Sequence, residues 1–190
     1  MQFAVLGWPE DGPTLRLDHR RFAYAGKFAM SNTGKAVALA DGIAPDDLPP
    51  AREAAAEGVL AACSFNEDRT DPDALWIRYV TTRRDRRGEG LGTRLAAFTV
   101  ARARERGYGR VRIAVNNPFA YHALSKAGFG YTGRRTGLAE LVLEHPSDRA
   151  RYREGLSAYA ERDLTDDERA FVEAKREAGA PEVVVDPDRI

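Results

Sequence analysis

RRGEGLG, Arg86 to Gly92, is the stretch on which the reading of this chain turns. Its three glycines follow a run of arginines and precede TRLAAFTVARARERG, which reads as a helix from about Thr93 to Arg106 ended by Gly107. A helix start exposes unpaired N–H groups and the positive end of the dipole. Glycine lets those amides approach an anion without a Cβ in the way, and it admits positive φ. The loop is therefore suited to hold a phosphate or pyrophosphate, with the Thr93 hydroxyl as a further donor. Arg83, Arg84, Arg86 and Arg87 put positive charge beside it. On the glycines alone, a helix cap with tight packing is the competing reading. A nucleotide-binding P-loop is excluded: NTGK at Asn32 to Lys35 has no glycine five before Gly34, and Ala36 follows. A dinucleotide fingerprint is excluded too, because Gly88, Gly90 and Gly92 have G-x-G-x-G spacing.

The elements around the loop suggest a layered mixed fold. Phe3 to Leu6 predicts a short strand, and KAVALA from Lys35 a second. AREAAAE from Ala51 predicts a short helix. Between Gly58 and Val80, GVLAACSFNE and ALWIRYV read as a hairpin around the turn cluster NEDRTDPD. GRVRIAV is a strand, AYHALSKAG a helix entered through Pro118, and FGYTGRRTGLAELVLEH two strands around a glycine turn. The succession strand, strand, helix, strand, helix, strand, strand makes an α/β or α+β structure. After His145 the pattern turns helical. SDRARYREGLSAYAERD predicts a helix capped by Ser147, T-x-x-E at Thr165 to Glu168 a capping box for another, and EVVVDPDRI a last strand.

Bulk composition narrows the function classes. At 190 residues and 43% hydrophobic, the chain suits one domain with an appendage. Zero formal net charge gives no sign of a nucleic-acid or anionic membrane partner. No stretch approaches the ~18 apolar residues of a membrane span. The single cysteine, Cys63, forms no internal disulfide and reads as a buried small hydrophobe, and an N-terminus without a signal-peptide pattern predicts a cytoplasmic location. No cluster of His, Cys, Asp and Glu has metal-ligand spacing, so no metal is expected.

Arg87-x-x-Gly90-x-Gly92 after the strand LWIRYV resembles the acetyl-CoA pyrophosphate loop of the GNAT N-acetyltransferase superfamily. NNPFAYHALSKAGF resembles that family's second motif, with Asn117, Ala120, Gly128 and Phe129 at its spacing. The match covers about Gly58 to Leu143. It implies a mixed, mostly antiparallel central sheet with a splayed strand pair and flanking helices, a GNAT domain over residues 1–145 and a C-terminal helical extension over 146–190. It also implies acetyl-CoA as cofactor, a primary amine, of a small molecule or a peptide or protein, as acceptor in a ternary complex, and a possible homodimer.

The site residues follow from the same resemblance. The backbone of Tyr79, Val80 and Thr81 would hold the pantetheine arm, and an amide there, assigned to Val80, would polarise the thioester carbonyl. Arg86, Arg87, Gly88, Glu89, Gly90, Leu91, Gly92 and Thr93 would hold the pyrophosphate, with Asn117 at the second motif. The family often places a tyrosine, as acid for the departing thiolate, seven residues after the motif asparagine. Here that position is Leu124. Tyr121, Ser125 and His122 are the available replacements, with Tyr121 preferred, and unassisted departure of the thiolate is a fourth. For the general base, Glu67, Asp68, Asp73, Asp18 and Asp41 are the candidates. The acceptor site is expected between an N-terminal segment bearing Phe22, Tyr24 and Phe28 and the strands bearing Arg134 and Arg135. A catalytically silent CoA-binding sensor or scaffold, marked by Leu124, is the alternative function. Nucleic-acid binding through RRDRR is a third reading, disfavoured by the charge balance.

Overall fold

The computed structural model describes residues 1–137 and 140–184. Seven strands form one sheet: β1 (Gln2–Gly7), β2 (Gly34–Leu39), β3 (Val59–Glu67), β4 (Ala74–Thr82), β5 (Arg110–Val115), β6 (Gly130–Thr136) and β7 (Glu140–His145). Their order across the sheet is β1-β2-β3-β4-β5-β7-β6. Every pairing is antiparallel except that of β4 with β5. Four helices accompany it: α1 (Leu91–Glu105), α2 (Pro118–Ser125), α3 (Tyr152–Ala160) and α4 (Asp166–Ala178). The mixed, mostly antiparallel sheet with flanking helices is the architecture expected of the sequence.

Central strands bury both faces, which is why β2 and β3 read as unbroken apolar runs. On one face, the small residues Ala36, Ala38, Ala61 and Cys63 join α1 and its Leu95, Ala96 and Val100 in the main core. On the other, Val37, Leu39, Val59 and Ala62 are covered by the N-terminal segment through Leu15, Leu17, Phe22 and Phe28. The N-terminal segment is thus a lid of irregular chain, and Phe22 and Phe28, expected at the acceptor site, are core residues.

Three local expectations are corrected. AREAAAE makes a single turn, closed by Glu53 N–H on the Pro50 carbonyl; the chain then leaves the helical path because Ala56 donates its N–H to Arg16 and buries its side chain. Ser147 caps a turn, accepting from Arg149 N–H at 3.0 Å, and α3 starts only at Tyr152. Residues 182–184 are irregular, with Val184 donating to the Lys126 carbonyl; the rest of the expected last strand lies outside the described residues. The capping box at Thr165 is present: its hydroxyl accepts from Glu168 N–H, and the Glu168 carboxylate accepts from Thr165 N–H.

α3 and α4 place Tyr152, Leu156, Tyr159 and Val172 in the main core beside α2. Two of their groups reach the end of β5. The Tyr159 hydroxyl donates to the Val115 carbonyl at 2.9 Å, and Arg162 to the Asn116 carbonyl at 3.2 Å.

The hairpin between β3 and β4 ends in a charge cluster. Arg112, nearly buried on β5, donates to Asp68 at 3.0 Å, Asp71 at 2.9 Å and Glu144 at 2.7 Å. Glu67 accepts from the Tyr108 hydroxyl, and Asp73 from Gly109 N–H and Arg110. These three expected bases are therefore occupied at the far end of the sheet. Removing Arg112 leaves Asp68 and Glu144 without their cation and Asp71 with Arg110 alone, so Arg112→Met should lower unfolding free energy by about 3 kcal/mol, read by urea denaturation.

Candidate active site

The sheet opens where β4 and β5 part. Their parallel pairing runs from Ala74↔Arg110 to Ile77↔Ile113 and stops, although β4 continues to Thr82 and β5 to Val115. Across β4, Phe65 faces Ile77 while Ser64 faces Tyr79, so Arg78 is an extra residue in the ladder. A bulge of this kind bends its strand and sharpens the twist. Pairing with β5 ends at that residue, and the gap beyond it is a cleft of about 770 Å³.

One wall of the cleft is bare backbone. Arg83 donates its N–H to the Leu60 carbonyl at 2.9 Å. Groups alternate along an antiparallel ladder. Counting back, Val80 and Thr82 turn their N–H and C=O away from β3 and into the cleft. Tyr79 and Thr81 pair with β3, and their side chains line the cleft instead. The Thr81 Oγ1 is buried and has no hydrogen-bond partner among the described residues.

At the end of that wall stands the start of α1. Its first turn is closed by Arg94 N–H on the Gly90 carbonyl, which leaves the amides of Leu91, Gly92 and Thr93 without partners among the described residues. Gly88 and Gly90 sit at φ 85° and 74°, and a Cβ on either would meet only open space. Their role is conformational: they turn the chain so that the amides face outward. Gly92 is different. A Cβ there would come within 3.3 Å of Thr82 Oγ1 and 3.7 Å of Val80 Cγ1, so it sets the close approach of α1 to β4. Exposed amides, an adjacent Arg87 and an unpartnered buried hydroxyl fit a ligand that carries a diphosphate and a polar arm.

The expected loop residues divide. Arg87, Gly90, Gly92 and Thr93 line the cleft together with Tyr79, Val80, Thr81 and Asn117. Arg86 and Glu89 form a bidentate pair at 2.6 and 2.7 Å, closing the loop on its outer side, and neither lines the cleft. Gly88 contributes its turn, and Leu91 only its amide, since its side chain is in the core. The Thr93 hydroxyl is not a spare donor; it bonds the Ala123 carbonyl at 3.1 Å and ties α1 to α2. Asn117 caps α2, accepting from Ala120 N–H at 2.8 Å.

The structure does not bring Tyr121 to the cleft. Its ring is fully buried between Tyr152 and Tyr159, and its hydroxyl donates to the Tyr152 carbonyl at 3.0 Å. Burial pushes the phenol above its ordinary range. Three residues along a helix is a 60° offset, enough to turn Tyr121 to the α3 interface while Leu124 faces the cleft. Ser125 is equally remote, its hydroxyl on the Tyr121 carbonyl. His122 is buried against Tyr152, its Nδ1 2.7 Å from the Tyr152 hydroxyl, and burial pulls it down to about 4. The α2 wall of the cleft is Phe119, Ala120, Ala123 and Leu124, with no proton donor in their side chains.

Charged residues that motif spacing did not reveal complete the lining: Lys27, Arg78, Glu140 and Glu168. Glu168 is held by Thr165 in the capping box. Glu140 makes no salt bridge or side-chain hydrogen bond with a described residue. Strand register sets its position. Val115 pairs Leu141, so Glu140 lies just past the end of that pairing, beside Asn116 where β5 stops. By strand alternation it is on the face opposite the core residues Leu141 and Leu143, the face that carries Tyr79. Tyr24 also lines the cleft; Asp18, Asp41, Arg134 and Arg135 do not. Among the described residues no group of acidic, His or Cys side chains could hold a metal, and no helix is long and apolar enough to cross a membrane.

Residues 7–129 match the family model described as the acetyltransferase (GNAT) family. No curated protein matches the chain. Among solved structures, it is similar to nourseothricin acetyltransferase, at 22% identity over 59% of this chain and 64% of that one, with a TM-score of 0.46. It is similar also to a GCN5-related N-acetyltransferase from Kribbella flavida, at 19% identity over 60% and 68% of the chains, TM-score 0.44. A third is the PaiA N-acetyltransferase from Thermoplasma acidophilum in complex with coenzyme A, at 12% identity over 58% of both chains, TM-score 0.43. This chain thus spans less than two thirds of the length of the first and third of these structures.

Tyr121→Phe tests the packing role of this ring: loss of one buried hydrogen bond should cost about 1 kcal/mol in thermal or urea unfolding, with the far-UV circular dichroism unchanged.

Proposed function

The chain belongs to the acetyltransferase (GNAT) family, and from that premise we propose that it transfers acetyl from acetyl-CoA directly to a primary amine held in the cleft between β4 and β5. The observation that carries this reading is the parting of β4 from β5 directly beside the bared amides of α1. Bound acetyl-CoA supplies an acetyl group activated as a thioester.

The protein's share is positioning and electrostatics. The amides of Leu91, Gly92 and Thr93, with Arg87 beside them, hold the diphosphate. The cleft-facing groups of Val80 and Thr82 meet the amide-bearing arm, replacing the strand partner that β4 lost. Val80 N–H points where negative charge gathers on the carbonyl oxygen during attack. Glu140 takes the proton from the acceptor ammonium, since the amine attacks only when neutral. The gap between the parted strands, lined by both Val80 and Glu140, leaves room for the amine and a bridging water. The C–N bond forms as the C–S bond breaks.

No acid from α2 assists that departure. A thiol with a pKa of about 8.5 leaves as a thiolate without one, so Leu124 is compatible with turnover and the silent-scaffold alternative is not favoured. Residues 1–145 carry the transfer in this reading. Residues 146–190 brace the β5 wall through Tyr159 and Arg162 and the α2 wall through Tyr152.

Gly90→Val forces a β-branched residue into a left-handed turn and hangs a side chain over the anion site. It should weaken CoA binding at least about tenfold by calorimetric titration, with far-UV circular dichroism unchanged. Tight CoA binding by this variant refutes the loop assignment. Glu140→Gln should lower kcat about 100-fold while KM for acetyl-CoA stays constant; a kcat within threefold of the parent removes Glu140 as the base.

A further inference from the structure

We infer that the acceptor is a small amino carboxylate, its carboxylate read by Lys27 and Arg78 and its amine turned toward Glu140. This rests on the acetyl-transfer reading above and names the substrate class for that same cleft.

Charge accounting is the starting point. Many charged side chains in this protein are paired with opposite charge: Arg83 with Asp85, Arg86 with Glu89, Arg151 with Glu154, and Arg112 with three carboxylates. The cleft collects charges without such partners: Arg87, Lys27, Arg78, Glu140 and Glu168 all line it, and none makes a salt bridge with a described residue. Arg87 lies at the anion loop, and Glu168 is held by Thr165 in its capping box. Lys27, Arg78 and Glu140 are on the opposite face of the sheet from α1 and await a ligand of their own.

The nearest contacts of both cations are neutral groups; the carboxylate that acts on Arg78, Asp68, is committed to Arg112. Arg78 is the bulge residue. Its Nε donates to Asn66 Oδ1 at 2.6 Å, and its guanidinium lies 5.0 Å from the Trp76 ring centre, which leaves its terminal nitrogens available. Lys27 Nζ is poised 5.8 Å from the ring centre of Tyr79, the residue next to Arg78. Tyr24 packs on the same ring at 5.5 Å. Tyr24 takes a left-handed φ of 57°, uncommon for an aromatic residue, and remains 55% exposed. Strain of this sort persists where the surroundings hold it and collects at binding sites. The buried, unpartnered Thr81 Oγ1 lies on this face as well.

The arrangement is therefore dipolar. Lys27 and Arg78 stand on the β4 side and Glu140 on the β7 side, with the Glu168 carboxylate at the α4 edge. Long Lys and Arg side chains and a Glu reaching inward narrow that gap to the length of a small molecule carrying an anion and an amine. A polyamine would set its extra positive charges against Lys27 and Arg78.

The test is thiol release from acetyl-CoA with matched acceptors: glycine, β-alanine, 4-aminobutyrate and 6-aminohexanoate, each beside its own carboxamide, with spermidine as the polycation. At least one carboxylate should exceed its carboxamide about tenfold in kcat/KM. In Lys27→Met/Arg78→Met that ratio should fall toward one. Lys27→Glu, a charge reversal at an exposed position, should favour the carboxamide. Equal rates for every pair, a preference for spermidine, or a ratio that survives in the double variant overturns the inference while leaving acetyl transfer standing. If no amine is acetylated although CoA binds, the transfer reading falls, and this one with it.

Discussion

The structure depends on four rungs of parallel pairing that end too soon. β4 and β5 are joined from Ala74 to Ile77, and the bulge at Arg78 then bends β4 out of reach of its neighbour. A sheet interior does not tolerate unpaired backbone groups at small cost. Here a row of them, at Val80 and Thr82, is left facing a cavity, and the start of α1 adds three more donors at its end. In the proposed reading, the ladder that β4 cannot complete within the chain is completed by a polar, amide-containing ligand. Folding thus stops one step short of satisfying its own backbone.

What keeps the gap from closing is the rigidity of both walls. On the β4 side, Gly92 lets α1 sit against Val80 and Thr82 at van der Waals distance. On the β5 side, the last carbonyls of the strand are held by Tyr159 and Arg162 from the C-terminal helices. Thr93 links the two helical walls through Ala123. The cleft is preformed, and little conformational entropy is left to lose when a ligand enters.

The sequence revealed the α1 side of the cleft far better than the opposite side, for a physical reason. Gly88, Gly90 and Gly92 announce themselves because a left-handed turn and a close helix–strand approach restrict residue type locally. Asn117 is visible for the same reason, as a helix cap. Glu140 is not visible, because its position depends on a strand register that no local pattern records. Lys27 and Arg78 are hidden in an irregular lid and a bulge. Tyr121 misled through its helical spacing: sharing a side with Leu124 does not fix which neighbour that side meets, and α3, outside the family motif, claimed it. The hairpin carboxylates show the same limit, since the Arg112 that engages Asp68 and Asp71 reaches them from β5.

The lone sulfur has a practical corollary. Cys63 lies on β3 beneath α1 with no exposed surface, hydrogen-bonded to Thr99, and burial pushes its thiol up to about 12. Thiolate, not thiol, reacts with electrophilic dyes. A chromogenic disulfide added to the folded protein therefore stays colourless, and any colour that develops reports sulfur released from a substrate.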